Sequence, residues 1–209
     1  MERKLNKIKL SKLQREVLVG ILLGDAHLRA NVHKTKYSLC ILQSDKHKEY
    51  VFHLYSIFKQ FTTTPPKKYV FKDKRFPGKL YTRWNFATNS QAQFRFYAHQ
   101  FYLNNKKIVP KNIHKWLTPR AIAYWYMDNG AQKWKGKSLG VRFCTDDFIL
   151  SQVNTLILVL QEKYKLKCTT QKKGGNLRIY ISSDSYATLK HLIYHFFVPS
   201  MIYKFPSLL

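Results

Sequence analysis

Apolar residues recur at helical spacing from Leu13 to Gly24, where Gly24-Asp25 breaks them, and from Ala121 to Met127, where Asp128-Asn129-Gly130 does the same. The segments downstream of the two runs are also alike. After the first, alternating stretches at 26–30 and 37–43 predict paired strands, and Ser44-Asp45 reads as the cap of a helix with Tyr50, Leu54 and Phe58 on one face. Thr64-Pro65-Pro66 ends that helix. A hairpin of 68–72 and 80–88 turns around Phe76-Pro77-Gly78, and Asn89-Ser90 caps a helix to about residue 102. The second run starts with Thr118 as cap and Pro119 in the first turn. It leads to a hairpin of 133–134 and 138–144 around Gly136, then a helix capped by Thr145-Asp146-Asp147 and reaching Tyr164. A hairpin of 168–171 and 177–182 and a last helix, capped by Ser183-Asp184 and reaching Phe197, complete it. Each half reads α-β-β-α-β-β-α, so an α+β fold of two related repeats is expected, residues 1–103 and 118–209, joined by a connector at 104–117. The ends of the halves echo each other too: NNKKIVP (104–110) and SMIYKFP (200–206) each set a Lys shortly before a Pro.

Composition adds the partner. Thirty-seven Lys and Arg face eleven Asp and Glu, a formal net charge of +26, which points to a polyanion, with nucleic acid first. A membrane surface fits less well, because the cations are spread along the chain and the longest apolar runs fall short of a span. Cys40, Cys144 and Cys168 form no CxxC pair and no zinc spacing, as expected in a reducing compartment. The basic start, MERKLNKIKLSKLQ, has no apolar segment of the secretory kind.

So few acids allow a nearly complete census. Asp45, Asp146, Asp147 and Asp184 stand at expected helix caps; Glu2, Glu16, Glu49 and Glu162 are expected on solvated positions; Asp73 falls in a turn. Asp25 and Asp128 alone end apolar helical runs, where a carboxylate meets the unfavourable end of the helix dipole. A divalent cation would offset that cost, since Mg²⁺ takes one or two carboxylates with water and substrate phosphate. Two such acids, one per repeat, are the layout for metal-assisted hydrolysis of the two strands of a duplex. Ordinary helix-to-strand turns use the same residues, so both readings stand at this point.

LVGILLGDA (18–26) and IAYWYMDNG (122–130) resemble the two signature motifs of single-chain, two-repeat LAGLIDADG homing endonucleases, and the resemblance extends over nearly the whole chain. NNKKIVPKNI, WLTPRAIAYWYMDNG and VPSMIYKFP are similar to the mitochondrial omega-intron branch in particular. The resemblance implies a monomer with internal pseudo-twofold symmetry, motif helices packed centrally, and antiparallel sheets forming a saddle for nucleic acid. It implies Asp25 as metal ligand, the backbone of Ala26 and Gly130 beside the metals, Mg²⁺ as cofactor, and Lys107 and Lys204 beside the scissile phosphates. It also implies an organelle, mitochondrion ahead of chloroplast. The second motif departs from the pattern: its ligand position is Asn129, with Asp128 one residue earlier as a possible substitute that an ideal helix turns about 100° away. Impaired or lost cleavage is therefore expected.

Three functions are compatible with these residues: a site-specific DNA endonuclease with one weakened half-site, a group I intron maturase, or a structural RNA-binding protein of an organellar ribosome or other ribonucleoprotein. In each, outward strand positions would carry the contacts. The candidates are Arg29, Lys34, Lys36, Lys68, Lys72, Arg83, Lys133, Lys135, Arg142, Lys172, Lys173 and Arg178, with the four arginines able to read guanine edges. Tyr37, Trp84, Trp134 and Tyr180 alternate with them and serve either stacking or sheet packing.

Overall fold

The two apolar runs become helices α1 (Lys12–Leu23) and α5 (Pro119–Asn129) in a computed structural model that describes residues 9–72, 74 and 77–207. Glu2, Asp73 and Phe76 lie outside those residues. Val17 to Leu23 and Ala121 to Met127 are buried without interruption, so neither helix keeps a solvent face over that stretch. A helix apolar all round belongs inside, and these two pack against each other at the centre. Gly20 makes this possible: a Cβ there would collide with the Ala121 carbonyl oxygen and stand 2.8 Å from the Tyr124 Cβ. One turn later, a Cβ on Gly24 would strike the Asp128 carboxylate. The contacts advance together, so the helices run parallel and finish side by side.

Their starts are fixed separately. Ser11 and Gln14 form a capping box on α1, and the Thr118 hydroxyl accepts the Ala121 N–H on α5. The Glu16 carboxylate lies 2.6 Å from the Arg120 guanidinium, with the Glu16 side chain only 14% exposed. Glu16, expected on a solvated position, instead ties the two helices together.

Each half supplies one antiparallel four-stranded sheet. The first holds β1 (His27–Ala30), β2 (Tyr37–Ser44), β3 (Lys67–Lys72) and β4 (Leu80–Ala87) in the order β1-β2-β4-β3. The second holds β7 (Gly130–Gln132), β8 (Val141–Cys144), β9 (Cys168–Lys173) and β10 (Asn176–Ile181) in the same relative order. Helices α2 (Lys48–Phe58) and α3 (Gln93–Phe101) accompany the first sheet, and α6 (Leu150–Tyr164) and α7 (Tyr186–Ile193) the second. A two-stranded hairpin of β5 (Tyr102–Leu103) and β6 (Lys106–Lys107), with Asn104 and Asn105 both at positive φ, and a short α4 (Ile113–Trp116) link the halves.

Three expectations are corrected. The first strand of the second half is 130–132 rather than 133–134, because Gly130 is already extended as α5 ends. Lys133 then begins the return, its N–H bonded to the Gly140 carbonyl. The aspartate caps are absent: α2, α6 and α7 start later, at Lys48, Leu150 and Tyr186, with no side-chain cap bond. A surplus of donors draws those carboxylates away, with Asp45 accepting from the Trp84 indole, Asp146 pairing with Arg178, and Asp184 with Lys167. The last helix stops at Ile193 and gives way to 3-10 turns at Tyr194–Phe196 and Pro199–Lys204.

Strand register decides which candidate contacts share a face, since directly opposed residues project to the same side. In the first sheet, His27, Arg29, Cys40, Leu42, Arg83 and Asn85 fall on the face away from the core, with Lys67 and Tyr69 beside them. Lys68 and Lys72 fall on the opposite, helix-side face with Trp84, whose ring meets Phe52 of α2. In the second sheet Arg142, Lys173, Arg178 and Tyr180 share the outer face, whereas Lys172 shares the side of Leu177 and Ile179. The correction is one of phase: Lys68, Lys72 and Lys172 are a residue out of step with the saddle, and Lys67, overlooked in the sequence, is in step with it.

Candidate active site at the paired helix ends

The parallel packing of α1 and α5 brings two helix C-termini together, and with them two carboxylates. Each terminus leaves carbonyl groups unpaired and carries the negative end of a dipole. Two lysines meet them. Lys107, delivered by the β5–β6 hairpin, donates to the carbonyls of Gly24 (2.6 Å) and Ala26 (3.0 Å) at the end of α1. Lys204, delivered by the last 3-10 turn, donates to the Asp128 carbonyl at 2.8 Å at the end of α5. The Lys204 backbone is pinned in turn, its carbonyl accepting from the Tyr126 hydroxyl, while Gln132 donates to the carbonyls of Tyr203 and Phe205. The echo between NNKKIVP and SMIYKFP thus corresponds to equivalent positions at the two helix ends. Burial lowers the pKa of both ammonium groups, and the nearby aspartates oppose that shift.

The carboxylates are unlike. Asp25 is exposed, and its Oδ2 accepts from Gln43 Nε2 at 2.8 Å. Asp128 lies inside the helix seam, where its Oδ2 accepts the Asp25 backbone N–H at 3.0 Å. Burial first, and the Asp25 charge second, raise its pKa well above the ordinary carboxylate range. Asp128 therefore points at the first motif, in the space that Gly24 leaves by having no side chain. Asn129 turns its amide nitrogen to the Cys144 carbonyl, 3.1 Å away.

Two buried oxygens at this end of α5, Asp128 Oδ1 and Asn129 Oδ1, have no hydrogen-bond partner. The buried Tyr50 hydroxyl is close enough to influence Asp128 but forms no well-aligned bond. Unpaired buried oxygens are costly, and a hard divalent cation is a partner that suits them. To a divalent cation at this end, Asp25 and Asp128 would offer carboxyl oxygens and Asn129 one neutral oxygen, the donor chemistry that Mg²⁺ takes. A cavity of about 900 Å³ opens alongside, lined by His47, Asp128, Gly130, Gln132, Tyr203 and Lys204 among others.

Of the sequence candidates, Asp25, Ala26, Lys107, Asp128, Asn129, Gly130 and Lys204 are brought together here. Arg29, Lys34, Lys36, Lys135 and Lys173 are exposed cations on the sheets and their turns. The other arginines are engaged: Arg83 lies 3.7 Å over the Phe71 ring, Arg142 donates to the carbonyls of Gln132 and Lys133, and Arg178 holds Asp146. Lys133 sits 4.0 Å over the Tyr180 ring. Gln43 is not among the sequence candidates. Its signal was a polar residue on the inward phase of β2, after Leu39 and Ile41. Cys40, Cys144 and Cys168 are free thiols. Among the described residues, no helix is long and apolar enough to cross a membrane.

Two matched sheets around parallel helices that end in acids and are capped by lysines define a two-repeat α+β architecture. Residues 15–189 match the LAGLIDADG DNA endonuclease family, and the chain belongs to that family. It is 31% identical over 209 residues to the DNA endonuclease I-ChuI of Chlamydomonas applanata, covering 93% of this chain and 95% of that protein. It is also 32% identical over 200 residues to the cytochrome b mRNA maturase bI2 of Debaryomyces hansenii, covering 93% and 74%. Among solved structures, the homing endonuclease I-WcaI bound to its DNA recognition sequence superposes with a TM-score of 0.89 at 28% identity, covering 94% of this chain and 87% of that one.

Proposed function

We propose that this chain is a Mg²⁺-dependent DNA endonuclease whose two half-sites are unequal, the one served by Asp25 being faster than the one served by Asn129. The observation that carries this reading is the meeting of the two helix ends, with Asp25 and Asp128 in contact and two unpaired oxygens beside them. The outer sheet faces supply the cations that hold a duplex by its phosphates. When bound, the metal supplies Lewis-acid stabilisation of the phosphate and a more acidic water. Asp25, Asp128, the Asn129 amide oxygen and the backbone at Ala26 and Gly130 are the groups to hold it. Lys107 and Lys204, fixed by the carbonyls they cap, place positive charge where negative charge develops on the phosphate. Asn129 offers an oxygen without a charge, so its half-site attracts the cation less strongly.

The repeated order of elements supports repeats at 1–103 and 118–209 joined by 104–117, acting as a monomer. Residues 104–113 and 198–206 support placement in the omega-intron branch and a mitochondrial location. The test is a duplex containing an intron-insertion site, labelled differently on each strand, incubated with Mg²⁺. Nicking of one strand ahead of the other is expected, and Asp25→Asn slows that faster nick about a hundredfold. A second reading, an RNA-binding maturase, draws on the relative named as an mRNA maturase and on the +26 charge. Tight, salt-resistant binding of folded intron RNA, with no cleavage of any duplex, decides for that reading.

A further inference from the structure

The Asp25 side of the centre carries a hydrogen-bond chain that leads away from the metal ligands and crosses from one repeat to the other. Gln43 Nε2 is 2.8 Å from Asp25 Oδ2, His47 Nδ1 is 3.0 Å from Gln43 Oε1, and the Tyr203 hydroxyl is 2.9 Å from His47 Nε2. Chemistry fixes the direction of every link. A carboxylate only accepts, so Gln43 must present its amide nitrogen to Asp25 and its oxygen to His47. That oxygen only accepts, so His47 carries its proton on Nδ1. A neutral imidazole then accepts at Nε2, and the Tyr203 hydroxyl donates to it. Burial and the Lys46 and Lys204 charges hold His47 at a pKa of about 4, in keeping with a neutral ring.

The other half has no such chain. Ala26 and Gly130 are the equivalent residues that come directly after the two motif acids or their replacement. Gly130 pairs with Phe143, and Ala26, preceding His27, stands opposite Ile41 by extension of the β1–β2 register. Two residues on, Gln43 corresponds to Thr145, whose hydroxyl instead donates to the Leu177 carbonyl at 2.7 Å. His47 corresponds to Ile149, which is 64% exposed and has no polar group to offer. Tyr203, preceding Lys204, corresponds to Lys106, preceding Lys107.

We infer that His47 and Tyr203 are positioning residues: through Gln43 they hold the Asp25 carboxylate in one rotamer, so the more favourable half-site of the first repeat is completed by a hydroxyl from the second. The inference rests on the endonuclease reading for its consequence, though not for its geometry. Removing the supporting partners of a metal ligand commonly costs tenfold or more in affinity or rate.

The test uses full-length protein and Tyr203→Phe, which deletes one oxygen from a half-exposed ring. In metal-free protein labelled with ¹⁵N-histidine, His47 is expected as the Nδ1-protonated tautomer. Tyr203→Phe should move the Nε2 resonance, because that nitrogen loses its donor, while the proton stays on Nδ1 opposite the Gln43 oxygen. Mn²⁺ alone, titrated by paramagnetic resonance, should bind about tenfold more weakly to Tyr203→Phe and to His47→Asn. On strand-labelled duplex, the faster nick should slow about tenfold with the slower nick unchanged. An Nε2-protonated His47 in the parent protein overturns the proposal, as do unchanged nitrogen shifts and Mn²⁺ affinity in Tyr203→Phe. No nicking by the parent protein overturns the endonuclease reading instead, while the imidazole and Mn²⁺ measurements still decide the role of the chain.

Discussion

The ends of α1 and α5 occupy matching places in the two repeats and receive matching lysines, yet they differ in every other polar detail. At α1 an exposed carboxylate is held by an amide, an imidazole and a phenol in series. At α5 the matching position is an amide whose nitrogen is spent on the Cys144 carbonyl, and the carboxyl group stands one residue back, in the seam. Duplicated backbones therefore fix where a functional group sits and leave its chemistry to be set residue by residue. Asp128 can lie in the seam only because Gly24, its counterpart, has no side chain. The two ends are complementary because they are no longer alike.

The contrast can be broken from the stronger side first. Asp25→Asn should cost about a hundredfold in nicking rate, because both the anion and the acceptor for Gln43 are altered. Strand-resolved kinetics measures it, and a loss confined to one strand shows that the half-sites work independently. Asn129→Asp should act in the opposite direction, raising the slower strand about tenfold and tightening Mn²⁺ binding. If rate and affinity both stay level, Asp128 already supplies the second charge. Lys107→Met and Lys204→Met should each cost about 1 kcal/mol in urea unfolding, since each removes a cation from a helix C-terminus. Lys204→Met should cost the more of the two, because Lys204 is buried, at 8% exposure, and Lys107 only partly so.

A further effect is in pH. His47 is held at about 4, below its ordinary value of 6.5, so the fold favours the neutral ring. Its contribution is complete above pH 6.5, and is lost as pH falls toward 4 because the unfolded chain takes up the proton first. The parent protein should lose stability across that window, and His47→Asn should lose less. Thermal melts at pH 7 and pH 4.5 compare the two slopes. Equal slopes would place the titration elsewhere.

Much of the fold was legible because apolar spacing and turn residues are local signals. The two motif helices, the repeated order of strands and helices, and Pro119 in the first turn of α5 all came from neighbours within a few positions. The sheet faces were less legible. Charge alone suggests the saddle for Lys68, Lys72 and Lys172, but strand phase is set by pairing, and a shift of one residue reverses the face. The aspartate caps failed for a related reason. Asp45, Asp146 and Asp184 each come after a residue suited to capping, but Trp84, Arg178 and Lys167 are brought within reach by the sheets and compete for them.

The sequence by itself determined that the chain has two repeats, carries a large positive charge, and ends two buried helices in Asp25 and Asp128. These properties depend on composition and on short-range periodicity. Only the tertiary structure decided that Asp128 faces Asp25 across the helix seam, that Lys107 and Lys204 cap the two helix ends, and that Gln43, His47 and Tyr203 form one chain. Each of these contacts joins residues far apart in sequence. Their distances and directions exist only once the two helices lie parallel.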